Sequence, residues 1–196
     1  MKSTLHKVLH PIAGRPMLMH LLDSLAELEI QRTVVVVGDK REQLDAALSD
    51  RDITTALQEP QLGTAHAALQ AREALAGFTG NILVCFGDCP MVKAATVRKL
   101  VAALDDGAKV AVLGFRPDDP LQYGRIIADR DGRVAKMVEY KDATEDKGLA
   151  TFAIPVSSLR IRTTCGRCWM RSAMTMRRVN ITCPMSRQAP SRGVIE

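Results

Sequence analysis

Residues 33–38 read TVVVVG, four valines behind a threonine and closed by Gly38. A short run that is β-branched and apolar at every position leaves no face for water, so it predicts a strand buried on both sides, as in a parallel sheet. Upstream, residues 16–30 place Met17, Leu18, Leu21, Leu22, Leu25 and Leu28 at helical spacing with Asp23, Glu27 and Glu29 between them, which predicts an amphipathic helix. Downstream the alternation repeats: helix over 41–48, strand over 53–57, alanine-rich helix over 64–75, strand over 81–86, helix over 93–104 and strand over 109–115. Strands and helices alternating at these lengths predict βαβ units in a mainly parallel sheet flanked by helices, with ligands gathering beyond the carboxyl ends of the strands. After Phe115 the rhythm changes. Residues 124–128 and 133–140 are short strand-like runs separated by 129–132, which predicts a smaller antiparallel hairpin.

The chain has 196 residues, 46% hydrophobic and 25% charged, the size and balance of one ordinary domain with a sizeable core. No apolar run reaches the length of a membrane span, and residues 5–12 are broken by His6, Lys7, His10 and Pro11, so no secretory signal is expected. The expectation is a cytoplasmic protein whose five cysteines are reduced. The net charge of +5 is concentrated at one end: residues 158–196 hold eight arginines and one acid, which leaves the rest at a net −2. With Trp169 as its one aromatic residue, that segment lacks the stacking surface of a nucleic-acid binder, and no nucleic-acid or membrane partner is expected.

Three segments could carry chemistry. KVLHPIAGRPM (7–17) sets a lysine before an apolar pair and a proline that opens a helix; its plain alternative is a loop entering a helix. FGDCPM (86–91) puts Asp88 just past a buried strand, where a carboxylate can hold a divalent cation or simply cap a turn. QEPQLGTA (58–65) brings Gly63 and Thr64 to a helix entrance, where free amides meet anions or carbonyls. Cys165, Cys168 and Cys183 lack a fourth zinc ligand, and His6, His10 and His20 read as loop and helix-surface residues.

Taken in order, KVLHPIAGRPM, LQEPQLGTAHA (57–67), FGDCPM, YGRI (123–126) and VEYKDAT (138–144) resemble the successive motifs of the uridyltransferase domain of bifunctional N-acetylglucosamine-1-phosphate uridyltransferase/glucosamine-1-phosphate acetyltransferases. The resemblance spans residues 1–147 and implies a Rossmann-like nucleotidyltransferase fold, of the nucleotide-diphospho-sugar transferase kind, over 1–150. It implies UTP and N-acetylglucosamine 1-phosphate as substrates, magnesium as cofactor, and a place in peptidoglycan and lipopolysaccharide precursor synthesis. By the same resemblance Lys7 and Asp88 are catalytic, Lys7 on nucleotide phosphates and Asp88 on magnesium. Gln58, Gly63 and Thr64 hold the uracil, Phe86 and Gly87 line the nucleotide-sugar pocket, and Gly124 and Glu139 contact the N-acetylglucosamine part.

Two departures accompany the resemblance. The family opens with a strand and a glycine-rich phosphate loop that would precede Met1, so the expected domain is incomplete, its first strand missing, and its activity impaired. From Thr151 the composition shifts to Arg, Cys and Met. Back-translating residues 152–158 with freely chosen codons and reading two bases further on gives Cys-Asn-Ser-Gly-Val-Ile, similar to the family's sugar-binding segment. The same shift over 172–183 resembles its metal-binding segment, and the single-codon residues Trp169, Met170, Met174 and Met176 are compatible with it. Residues 151–196 are therefore expected to be an out-of-frame, disordered basic tail. A nucleotidyltransferase for another sugar phosphate and a non-catalytic remnant are the rival readings; the oligomeric state stays open.

Overall fold

The computed structural model describes residues 3–108, 110–119, 123–130, 133–138, 152–154 and 158–163. They divide into two compact units, one of Met1–Phe78 with Gly87–Ala94, the other of Thr79–Phe86 with Ala95–Glu196.

The first unit opens with a 3₁₀ turn, Lys7–Leu9, and a tight hairpin of β1 (Pro11–Ile12) and β2 (Arg15–Pro16). Ala13 and Gly14 at its tip both have positive φ, 49° and 79°, the conformation that lets a two-residue turn follow the twist of its strands. Helix α1 (Met17–Ala26) follows, then β3 (Val34–Val37), α2 (Arg41–Leu48), β4 (Thr54–Leu57) and α3 (Thr64–Gln70). β3 and β4 pair in parallel, Val34 opposite Thr54 through Val37 opposite Leu57. The apolar stripe of α1 buries Leu18, Met19, Leu21 and Leu25. Leu9, Leu18, Met19, Val37, Leu44 and Leu48 form one core, with Val8, Leu22, Val35, Ala47 and Ile53 packed against it. α3 is shorter than its alanine-rich sequence suggests: past Gln70 the Ala71 and Arg72 amides bond three residues back, to the Ala68 and Leu69 carbonyls, and the chain continues as turns.

The second unit contains β5 (Gly80–Cys85), α4 (Ala94–Asp105) but for its first residue, β6 (Val110–Val112), β7 (Gly124–Ala128), β8 (Val134–Val138), β9 (Phe152–Ile154) and β10 (Ser158–Thr163). β10 pairs antiparallel with both β5 and β6; β7 pairs antiparallel with β8 on one side and β9 on the other. Side chains alternate across a strand, and β6 uses both faces. Ala111 packs with Leu100, Ala103 and Leu104 of α4, while Val112 packs with Ile126 and Met137 of the hairpin.

Strand–helix alternation from β3 to β6 is as expected, but one continuous parallel sheet is not what the pairing gives. β5 and β6 run in the same direction without being neighbours, because β10 lies between them and supplies the ladder to each. A second correction concerns the tail: residues 152–154 and 158–163 are strands rather than disordered chain. The alternation in SLRIRT gives it a strand period whatever its origin. The other residues beyond 154 lie outside the described set.

Leu44 is 2% exposed at the centre of the first core. Leu44→Ala is expected to lower stability by about 2–5 kcal/mol, measured by urea unfolding. A loss under about 1 kcal/mol would place Leu44 outside a close-packed core.

Candidate functional site

The backbone carrying Lys7 is held from both directions. Gln43, on α2, accepts from the His6 amide at 2.7 Å and donates to the Thr4 carbonyl at 2.9 Å, and Lys40 Nζ donates to the Ser3 carbonyl at 3.0 Å. Behind Lys7, Val8 and Leu9 enter the first core. Gly87 then approaches closely: a Cβ on it would lie 3.1 Å from Val8 Cγ1 and 3.5 Å from Leu18 Cδ1. This contact sets Asp88 beside Lys7, with Nζ–Oδ2 at 2.5 Å and side chains 57% and 34% exposed. An ion pair that open contributes about 1 kcal/mol or less to stability. Its consequence is that opposite charges stand ready three residues past the end of β5.

Cys89 Sγ lies 4.0 Å from Asp88 Oδ1. Burial, and then the Asp88 charge, raise its thiol pKa against the opposing pull of Lys7, which keeps it a neutral thiol. Among the described residues no group of three or more His, Cys, Asp or Glu side chains gathers to hold a metal. Asp88 offers one hard oxygen ligand. That donor set suits magnesium held by one carboxylate, waters and the phosphates of a bound nucleotide, rather than a dedicated protein cage.

A second cluster sits at the end of β4. The Gln58 amide nitrogen of the main chain donates to the Val37 carbonyl at 2.7 Å, which continues the β3–β4 register by one residue. The Gln58 side chain then meets the Gly63 carbonyl and the His66 ring. Gly63 has φ +97° and ψ −179°, a region that only glycine enters freely, and Thr64 is the first residue of α3.

Of the residues expected to form a site, Lys7, Gly87 and Asp88 are brought together, and so are Gln58, Gly63 and Thr64. Phe86, directly after β5, and Gly124, the first residue of β7, belong to the second unit. Glu139 lies outside the described residues. His66 and Gln70 were not singled out from sequence, though the spacing Gly63, His66, Gln70 already places three residues along one helical edge.

Residues 1–152 match the MobA-like NTP transferase domain family. The chain belongs to that family. Within it, the chain is 60% identical over 147 residues to the bifunctional protein GlmU of Sphingopyxis alaskensis, covering 74% of this chain and 32% of that protein. It is 51% identical over 155 residues to the bifunctional protein GlmU of Zymomonas mobilis, covering 77% and 34%. The chain thus spans about a third of the length of these curated relatives. HddC from Yersinia pseudotuberculosis superposes with a TM-score of 0.69 at 16% identity, over 100% of this chain and 83% of that one. A putative glucose-1-phosphate thymidylyltransferase from Bacillus anthracis gives a TM-score of 0.69 at 15% identity, over 87% and 68%. The NTP transferase fold is therefore shared with these structures. No helix among the described residues is long and apolar enough to cross a membrane.

His6 caps the turn that carries Lys7: its Nδ1 accepts from the Val8 amide at 3.4 Å. Burial, then Lys40 and Lys7, hold its pKa below the ordinary value, with Asp39 opposing. The folded state thus favours neutral imidazole. The stability this contributes is complete above the ordinary histidine pKa of about 6.5 and is lost as pH falls through the folded value. Between about pH 7.5 and pH 5 the unaltered chain is expected to lose more stability in urea unfolding than His6→Asn, which keeps an oxygen cap and does not titrate. Equal losses in the two would remove His6 from the pH response.

Proposed function

We propose that this chain is a sugar-phosphate nucleotidyltransferase domain that transfers UMP from UTP to N-acetylglucosamine 1-phosphate, releasing pyrophosphate. The observation that carries this reading is the Lys7–Asp88 pair, in a chain that belongs to the NTP transferase family and is 60% identical over 147 residues to a bifunctional protein GlmU.

The chemistry asks for little beyond charge and alignment. The attacking sugar-phosphate oxygen is already ionised, so no general base is required, and the barrier lies in bringing two anions together and letting pyrophosphate leave. Lys7 Nζ, half-exposed on a rigid turn, would lie against nucleotide phosphate oxygens and offset their charge. Gln58, Gly63 and Thr64 would hold the base, which places the α-phosphorus relative to the incoming sugar phosphate. Gly87, in close contact with Val8 next to Lys7, would line the pocket. Magnesium, bound by Asp88 with the nucleotide phosphates, would supply further charge neutralisation there.

The test is formation of UDP-N-acetylglucosamine and pyrophosphate from UTP and N-acetylglucosamine 1-phosphate with magnesium, beside equilibrium binding of UTP. Asp88→Ala is expected to lower kcat/KM by roughly 10²-fold or more, and Lys7→Gln by roughly 10-fold or more. Product formation unchanged in Asp88→Ala, or an unaltered chain with no affinity for UTP, would overturn the reading.

A further inference from the structure

Gln58 Nε2 carries two hydrogens, and both have acceptors: the Gly63 carbonyl at 2.9 Å and His66 Nδ1 at 3.2 Å. On the far side of the ring, His66 Nε2 lies 3.1 Å from Gln70 Nε2, which also reaches the His66 carbonyl at 3.2 Å. A neutral imidazole has a single acceptor nitrogen. It can therefore accept from one of these amides and must donate towards the other.

The competition is unequal. The Gln58 amide has the Gly63 carbonyl as a second acceptor that favours the same orientation, so turning it over would set two oxygens against each other. Turning the Gln70 amide over also sets its oxygen against a carbonyl, that of His66, but at 3.2 Å rather than 2.9 Å and on a half-buried helix side chain, and it gains a ring N–H donating to that oxygen. Nδ1 is thus the acceptor, Nε2 carries the hydrogen, and Gln58 Oε1 is left as an acceptor with no donor among these partners.

We propose that His66 is a positioning residue which, with Gln70 fixing its tautomer, holds the Gln58 amide so that a nucleobase meets an acceptor only. The consequence is a preference for a pyrimidine whose N3 carries hydrogen, as in uracil, over one whose N3 is a lone pair, as in cytosine. The proposal rests on the reading of Gln58 as a base-contacting residue. Without the ring acceptor the amide is retained by Gly63 alone and turns more readily about its last bond, offering an N–H to the cytosine N3.

The experiment measures Kd for UTP and for CTP on the full chain with magnesium, in the unaltered protein and in His66→Phe, His66→Asn and Gln58→Ala. The UTP-over-CTP preference is expected to fall by about tenfold in His66→Phe, the loss of roughly one hydrogen bond. His66→Asn retains an acceptor near the Nδ1 position and is expected to keep most of it. Should His66→Phe fail to fold, Gln70→Leu carries the same test, with a smaller fall in the same direction. If Gln58→Ala weakens UTP binding while the ring variants leave the preference unchanged, His66 has no positioning role and Gln58 still contacts the base. If Gln58→Ala leaves UTP binding unchanged, the base-contact reading fails and this proposal with it. An unaltered chain with no preference for UTP overturns the proposal outright.

Discussion

Val37 is 1% exposed, and its side chain and its main chain serve different halves of the site. The side chain belongs to the core that also holds Leu9, and Leu9 closes the turn that carries Lys7. The carbonyl accepts from the Gln58 amide at 2.7 Å and so fixes the start of the segment that carries Gln58, Gly63 and Thr64. Burial of such a side chain is worth about 1.5–3 kcal/mol, far more than the open Lys7–Asp88 pair contributes. The charges are therefore placed by apolar packing and a strand register, and they are free to interact with a ligand because the fold does not depend on their attraction.

The same division recurs around Asp23. Its two oxygens meet Arg15 at 2.7 Å and Arg51 at 2.6 Å, which ties the hairpin and the end of α2 to α1. His20 Nε2 lies 2.8 Å from the Ile12 carbonyl and secures the other strand of the hairpin to the same helix. These polar links fasten the loop between Lys7 and α1 to elements already fixed by their apolar faces. A side chain at the start of that loop keeps its place without being buried itself.

Much of the fold was legible because the strongest signals are local. Four consecutive valines and the heptad-like leucines of α1 admit few readings, and α2 spans Arg41–Leu48 in both sequence and structure. The pairing of β5 and β6 with β10 was not legible, since partners so distant in sequence leave no local mark, and since Ser158–Thr163 falls in a stretch whose composition points away from a packed domain. At the site, motif order indicated Lys7, Gln58, Gly63 and Asp88. It did not indicate the links that hold them, because Gln43 to Thr4 and Val8 to Gly87 are contacts of ordinary residue types with nothing unusual in their spacing. His66 escaped notice for a different reason: a histidine inside an alanine-rich helix carries no periodic signal, and its importance depends on which atoms face its two nitrogens.

Gly87 and Val8 touch across a break in the first unit, whose residues Gly87–Ala94 come only after the chain has passed through β5. The unit is thus discontinuous, and as the chain leaves the ribosome Lys7 waits for Asp88 through the synthesis of everything between them. Loop-closure entropy grows slowly with length, but it must be met before such a contact returns any energy. The turn, the hairpin and the β3–β4 pair can form on local terms, whereas the paired charges exist only once the late segment docks. The order of assembly therefore pairs the two charges last, after the elements that hold Lys7 in place have formed.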